Sequence, residues 1–186
     1  MNGREIGSVE ISVPKMKAVI MFVSRLNRKN PDDFLNISRL ERSVKQEKPC
    51  VTTVLFLCMG NSCRSQIAEA LMNHYLPDQW HAFSAGIAPA GYVHPMAIQV
   101  LEELGINHQG TSKWVEQFIG QKFDRVITLC GGAENNCPAW LGEGKKEHIG
   151  FVDPAQIPGK DEEKLAGFRE VRDEMLVSIV DYLKKS

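Results

Sequence analysis

Eight residues, Cys58-Met59-Gly60-Asn61-Ser62-Cys63-Arg64-Ser65, join an apolar run to a helical pattern, and few folds accommodate such a junction. The run before them, Val51-Thr52-Thr53-Val54-Leu55-Phe56-Leu57, is mostly β-branched and apolar, as a buried parallel strand requires. After them Ile67, Leu71 and Tyr75 recur at helical spacing until Pro77 ends the pattern. The eight residues therefore form a strand-to-helix turn whose successive N–H groups, from Met59 through Gly60, Asn61, Ser62 and Cys63 to Arg64, can converge on an anion. Gly60 supplies backbone freedom, and the Arg64 guanidinium is a planar fork suited to a tetrahedral oxyanion. The same positive field favours the thiolate of Cys58, which makes it a nucleophile. Taken alone, the spacing also fits a buried structural Cys beside a surface Arg; its place between a strand and a helix favours the anion loop.

From Val51 onward, strand and helix patterns alternate. Trp80–Ser84 reads as a second strand, closed by Ala85-Gly86, and a helix follows from His94-Pro95 to Leu104, stopped by Gly105. Ser112–Phe118 reads as a short helix. Asp124–Leu129 is a third strand running into Cys130, and Glu147–Val152 a fourth running into Asp153-Pro154. A last helix spans about Glu162 to Lys184, with Leu165, Phe168, Val171, Met175, Leu176, Ile179 and Leu183 in one apolar stripe. Such alternation predicts a parallel sheet covered on both faces. Ligands of open α/β sheets bind beyond the carboxyl ends of the strands. Cys58, Cys130 and Asp153 each follow a different strand, so two thiols and a carboxylate are expected at one rim.

Residues 1–49 differ in character. The first 50 residues hold 10 Lys and Arg against 6 Asp and Glu, whereas residues 51–186 hold 12 against 17. The polar stretch 24–48 cannot bury a core of its own, so residues 1–49 are expected to be a mobile or loosely docked arm and residues 50–186 the folded domain. A basic surface-binding segment is the alternative. A formal net charge of −1 argues against a bulk nucleic-acid binder. No apolar run approaches transmembrane length, and the expectation is a soluble, cytoplasmic monomer.

Five cysteines in such a chain point to reactive thiols or metal ligands ahead of a disulfide scaffold. The pairs Cys58/Cys63 and Cys130/Cys137 miss the tight spacing of structural zinc sites, and the five histidines lack metal-ligand spacing, so no metal is expected. Cys63 reads as a packing residue without a redox role, and Cys50 as a thiol without function. Lys145-Lys146 is a solvated charge pair that could also steer an oxyanion to the rim.

Taken together, Cys58–Ser65, Ser84-Ala85-Gly86, Leu129-Cys130, Asn135-Asn136-Cys137-Pro138 and Phe151-Val152-Asp153-Pro154 resemble the thioredoxin-coupled arsenate reductases, which share the low-molecular-weight protein tyrosine phosphatase fold. The resemblance covers Val51 to the C-terminus. It implies an α/β, flavodoxin-like three-layer sandwich with a four-stranded parallel sheet in the order 2-1-3-4. It also implies roles for named residues. Cys58 would attack arsenate held by the loop amides and Arg64, Ser65 would stabilise the thiolate, and Asp153 would protonate the departing oxygen. Cys130 would then attack the Cys58 sulfur, releasing arsenite, and Cys137 would draw the oxidation into a Cys130–Cys137 disulfide reducible by thioredoxin. That requires residues 131–136, which open on Gly131-Gly132, to move. The resemblance implies no cofactor.

Two departures bear on function. Low-molecular-weight phosphatases carry aromatic residues after the Asp-Pro, where this chain has Ala155-Gln156. Some reductases hold potassium through the equivalents of Asn61, Glu69 and a Thr-Ser-Asp run; here the run is Thr111-Ser112-Lys113, and Lys113 is expected to pair with Glu69 instead. A phosphomonoesterase, and a redox-regulated oxyanion-binding module without turnover, are the rival readings.

Overall fold

The computed structural model of the protein describes residues 51–131 and 140–185. The expectations for residues 1–49, Cys50 and Cys137 lie outside them.

Four parallel strands form one sheet: β1 (Thr52–Cys58), β2 (Trp80–Gly86), β3 (Arg125–Cys130) and β4 (Lys145–Phe151), in the order β2-β1-β3-β4. This is the expected order, with β1 and β3 central. Period-two alternation explains the composition of β1, because Val54 and Phe56 enter one core while Leu55 and Leu57 enter another, all four fully buried.

The larger core lies under the helices α1 (Arg64–Tyr75), α2 (Pro95–Glu102) and α3 (Asp161–Met175). Ile67 and Leu71 of α1 meet Phe168, Val171 and Met175 of α3 there. Beyond Met175 the chain passes through a π-helical turn, Leu176–Val180, into α4 (Asp181–Lys184), so the expected last helix is one continuous rod with a local unwinding. Ile179 and Leu183 carry the apolar stripe across that turn. Three acidic residues in the first turn of α3, with Glu163 accepting from Lys160 N at 2.7 Å, fix where the rod starts. On the other face of the sheet Phe118, Phe123 and Trp140 pack edge to face over Leu55, Leu57 and Val126. The short helix expected at Ser112–Phe118 is a single 3-10 turn, Val115–Phe118.

β4 starts at Lys145, two residues before the expected Glu147, and this overturns one expectation. In a parallel sheet Lys145 and Lys146 then lie at the amino end, opposite the rim where β1 ends in Cys58, and Lys145 pairs with Glu147 at 2.7 Å. They cannot steer an anion to the rim.

Candidate active site

The loop from Cys58 to Arg64 turns directly off β1 into α1. Helix α1 starts without a side-chain N-cap at Cys63, so the loop lies at the positive end of the helix. Asn61 makes the turn with φ of 43°, a left-handed conformation that Asn tolerates better than other side chains. Gly86, level with Cys58 on the neighbouring strand, has a packing reason: a Cβ there would lie 2.5 Å from Met59 O.

Cys58 Sγ is buried and hydrogen-bonded twice, by the Ser65 hydroxyl at 3.0 Å and by Asn61 N–H at 3.2 Å. Both bonds fix the position of the sulfur. Ser65 is itself held, since Asn61 Nδ2 donates to its Oγ at 2.8 Å and to Ser84 Oγ at 2.8 Å. Asn61 is fixed in turn by Gln66 Nε2 and by Lys113 N–H, which donate to its Oδ1 at 2.9 and 2.7 Å. Glu69 anchors the far side: it accepts from the Ser84 hydroxyl, and Lys113 Nζ lies 3.2 Å from its Oε2. The expected Lys113–Glu69 pair is therefore present. It belongs to a chain of side chains leading back to the nucleophile.

Arg64, almost fully buried, donates from Nη2 to Asp153 Oδ2 at 2.7 Å. Asp153 Oδ1 caps the 3-10 turn Pro154–Gln156 by accepting Ala155 N–H at 3.1 Å. These groups line a cleft of about 170 Å³ with Cys58 and Cys63 on its inner side and Ala90, Tyr92, His94 and Ala155 around it. The Cys63 thiol is pushed up to about 12, chiefly by burial and next by Asp153, so Cys63 stays protonated and unreactive beside Cys58.

Cys130 is buried at the end of β3, the strand that pairs with β1. Leu57 is level with Thr128, so Cys130 lies one residue beyond the level of Cys58 on the adjacent strand. Gly131 follows where a Cβ would come within 2.5 Å of Phe151 O, so close packing against β4 demands glycine there. Of the expected site residues, the structure thus gathers Cys58, Gly60, Ser62, Cys63, Arg64 and Asp153 around one cleft, buries Ser65 against the Cys58 sulfur, and sets Cys130 on the neighbouring strand.

The model of the low molecular weight phosphotyrosine protein phosphatase family matches residues 53–185. The chain belongs to that family. Within it, the arsenate reductase of Halalkalibacterium halodurans is 49% identical over 123 residues, 66% of this chain and 88% of that protein. A solved arsenate reductase in the phosphate binding state shares 32% identity and superposes with a TM-score of 0.59, covering 73% of this chain and 98% of that one. The thioredoxin-dependent arsenate reductase of Corynebacterium glutamicum shares 26% identity with a TM-score of 0.52, covering 83% of this chain and 71% of that one.

Three contributors to this phosphatase-family site were missed in the sequence. Gln66 is fully buried next to the apolar positions of α1, and nothing in the string says that its amide reaches Asn61. Ser84 stood out only as part of a motif. His94 read as the start of a helix, which it is: its Nδ1 accepts Met96 N–H at 3.2 Å. Its position on the cleft wall comes from the turn after β2, a long-range placement without a local signature.

Proposed function

We propose that this chain is an arsenate reductase whose electrons come from thioredoxin. The observation that carries the reading is the double hydrogen bond to Cys58 Sγ on the inner side of a cleft bordered by Arg64 and Asp153. Arsenate entering the cleft meets the loop amides and Arg64, and the Cys58 thiolate attacks arsenic. The displaced oxygen takes a proton from Asp153 and leaves, giving a Cys58 sulfur–arsenic(V) bond. Cys130 then attacks the Cys58 sulfur. The sulfur–arsenic bond breaks with its electron pair going to arsenic, so arsenite departs and a Cys58–Cys130 disulfide remains. Attack by Cys137 on Cys130 frees Cys58 as thiolate and leaves a Cys130–Cys137 disulfide. Thioredoxin reduces that bond and returns two electrons. Cys130 ends β3, the strand hydrogen-bonded to β1, but Leu129 before it shares the core of Val54 and Phe56, so the two thiols start on opposite faces of the sheet and the attack requires the end of β3 to rearrange.

The family name favours a second reading, hydrolysis of phosphomonoesters, which shares the first displacement. Ala155, which follows Asp153-Pro154 where the low-molecular-weight phosphatases carry an aromatic residue, weighs against it. One variant separates the two. Cys130→Ser should still cleave p-nitrophenyl phosphate slowly while releasing no arsenite; undiminished arsenite release by that variant ends the relay. An oxyanion-binding module without turnover would consume no NADPH with arsenate, thioredoxin and thioredoxin reductase.

A further inference from the structure

The imidazole of His94 is held from two sides. Nδ1 accepts the Met96 N–H at the start of α2, and the ring stacks on Phe168 of α3 with centroids 4.8 Å apart and planes 28° apart. A third side borders the cleft that holds Cys58, Arg64 and Asp153. The bond at Nδ1 decides the tautomer, because a nitrogen that accepts carries no proton; the neutral ring therefore bears its hydrogen on Nε2. Burial holds the His94 pKa below the ordinary histidine value, with Lys164 adding to the effect and Asp153 opposing it, so the ring is neutral in neutral solution.

A tetrahedral oxyanion under attack by Cys58 points one oxygen away from the sulfur, out of the loop and toward Asp153. Beyond the loop residues and Asp153, the cleft is lined by Ala90, Tyr92, His94 and Ala155. The two alanines offer only methyl groups there, and Tyr92 is 57% exposed. His94 is the wall residue that carries a donor and is pinned by its neighbours.

We propose that His94 Nε2–H donates a hydrogen bond to the outward oxygen of the bound oxyanion, and that this contact selects the free oxyanion over its esters. In free arsenate or phosphate that oxygen is a strong, charged acceptor. In an ester it bears carbon, accepts more weakly, and its substituent must pass the imidazole to leave a small cleft. The inference rests on reading the cleft as the arsenate site.

Two substitutions separate this role from simple capping. In His94→Asn the side-chain oxygen replaces Nδ1 and keeps the cap, but no donor reaches the place of Nε2. In His94→Gln the amide nitrogen replaces Nε2 and the cap is lost. With full-length protein, arsenate KM and kcat, the dissociation constant for inorganic phosphate and kcat/KM for p-nitrophenyl phosphate are measured alongside melting temperatures. For H94N, KM for arsenate and the phosphate dissociation constant should each rise roughly tenfold, as for one lost bond to a charged group, with kcat changing far less. The ratio of arsenate to ester kcat/KM should fall with them. H94Q should recover most of the lost affinity while melting lower than H94N. Wild-type affinity in H94N, or an equal loss in both variants, overturns the contact. If the wild-type protein forms no arsenite, the arsenate reading fails, and phosphate binding by the same variants still decides the role of His94.

Discussion

Arg64 Nη2 and Asp153 Oδ2 lie 2.7 Å apart, so the residue that would clamp the oxyanion is ion-paired with the one that would protonate the departing oxygen. An entering anion competes with Asp153 for the guanidinium and brings negative charge beside a carboxylate. Replacing Asp153 with Asn removes both the competitor and the acid. Phosphate should bind several-fold more tightly to this variant, by calorimetry, while the rate of the first displacement falls about a hundredfold or more, the usual contribution of a general acid. Weaker binding together with an unchanged rate would mean that Asp153 serves only to hold Arg64.

Ser65 and Cys63 divide the sulfur chemistry of the loop. The Ser65 hydroxyl lies 3.0 Å from Cys58 Sγ, while burial keeps Cys63 a thiol with its pKa pushed up to about 12. Iodoacetamide at neutral pH should therefore alkylate Cys58 and spare Cys63, as read by peptide mass spectrometry. Ser65→Ala should slow Cys58 alkylation roughly tenfold, the scale of one hydrogen bond to a charged group. Labelling of Cys63 first would reverse the assignment of the two sulfurs.

Two histidines make stability depend on pH. Burial, the largest cause for each, holds His94 and His108 below the ordinary value of 6.5. Between the folded values and 6.5 the unfolded chain binds more protons, so stability rises with pH through that window and is lost as pH falls through it. The carboxylates held low, Glu103, Asp124 and Glu147, contribute to acid loss only further down, below their ordinary values near 4. Melting temperature should therefore drop between about pH 6.5 and pH 5, and the drop should shrink in the double variant His94→Asn, His108→Gln. Equal slopes in the two proteins would remove the histidines from the explanation.

The parts of the site carried by contiguous residues could be read from the string. Cys58 to Ser65 is one turn between two periodic segments, and Asp153 and Cys130 follow strands, so topology alone sends all three segments to one rim. The Lys113–Glu69 pair was also legible, because opposite charges stood where a resemblance aligned them. Gln66, Ser84 and His94 were not. Each acts through a partner that is far off in sequence or set by a turn, and a polar side chain on a helix or strand looks the same whether it faces water or a buried loop. Lys145 and Lys146 misled for a related reason: an edge strand alternates exposed and half-buried positions, so charged residues at its start look like loop until pairing with β3 defines the end.

Lys113 determines how this site responds to cations. Its Nζ and the Ser84 hydroxyl both engage Glu69, and Gln66 Nε2 and Lys113 N–H both engage Asn61 Oδ1. Glu69 Oε2 and Asn61 Oδ1 are thus already met by N–H and O–H donors, and the ammonium supplies the positive charge. Replacing KCl with NaCl at constant ionic strength should leave arsenite formation unchanged. Lys113→Met leaves Glu69 half-buried with a hydroxyl as partner. The loss should be about 1–3 kcal/mol of stability in urea unfolding, between the values for exposed and buried pairs. Because Glu69 accepts from Ser84, and Asn61 donates to both Ser84 and Ser65, alkylation of Cys58 should slow in this variant as well. A potassium-dependent rate in the wild-type protein would show that an ion, not the lysine, completes the network.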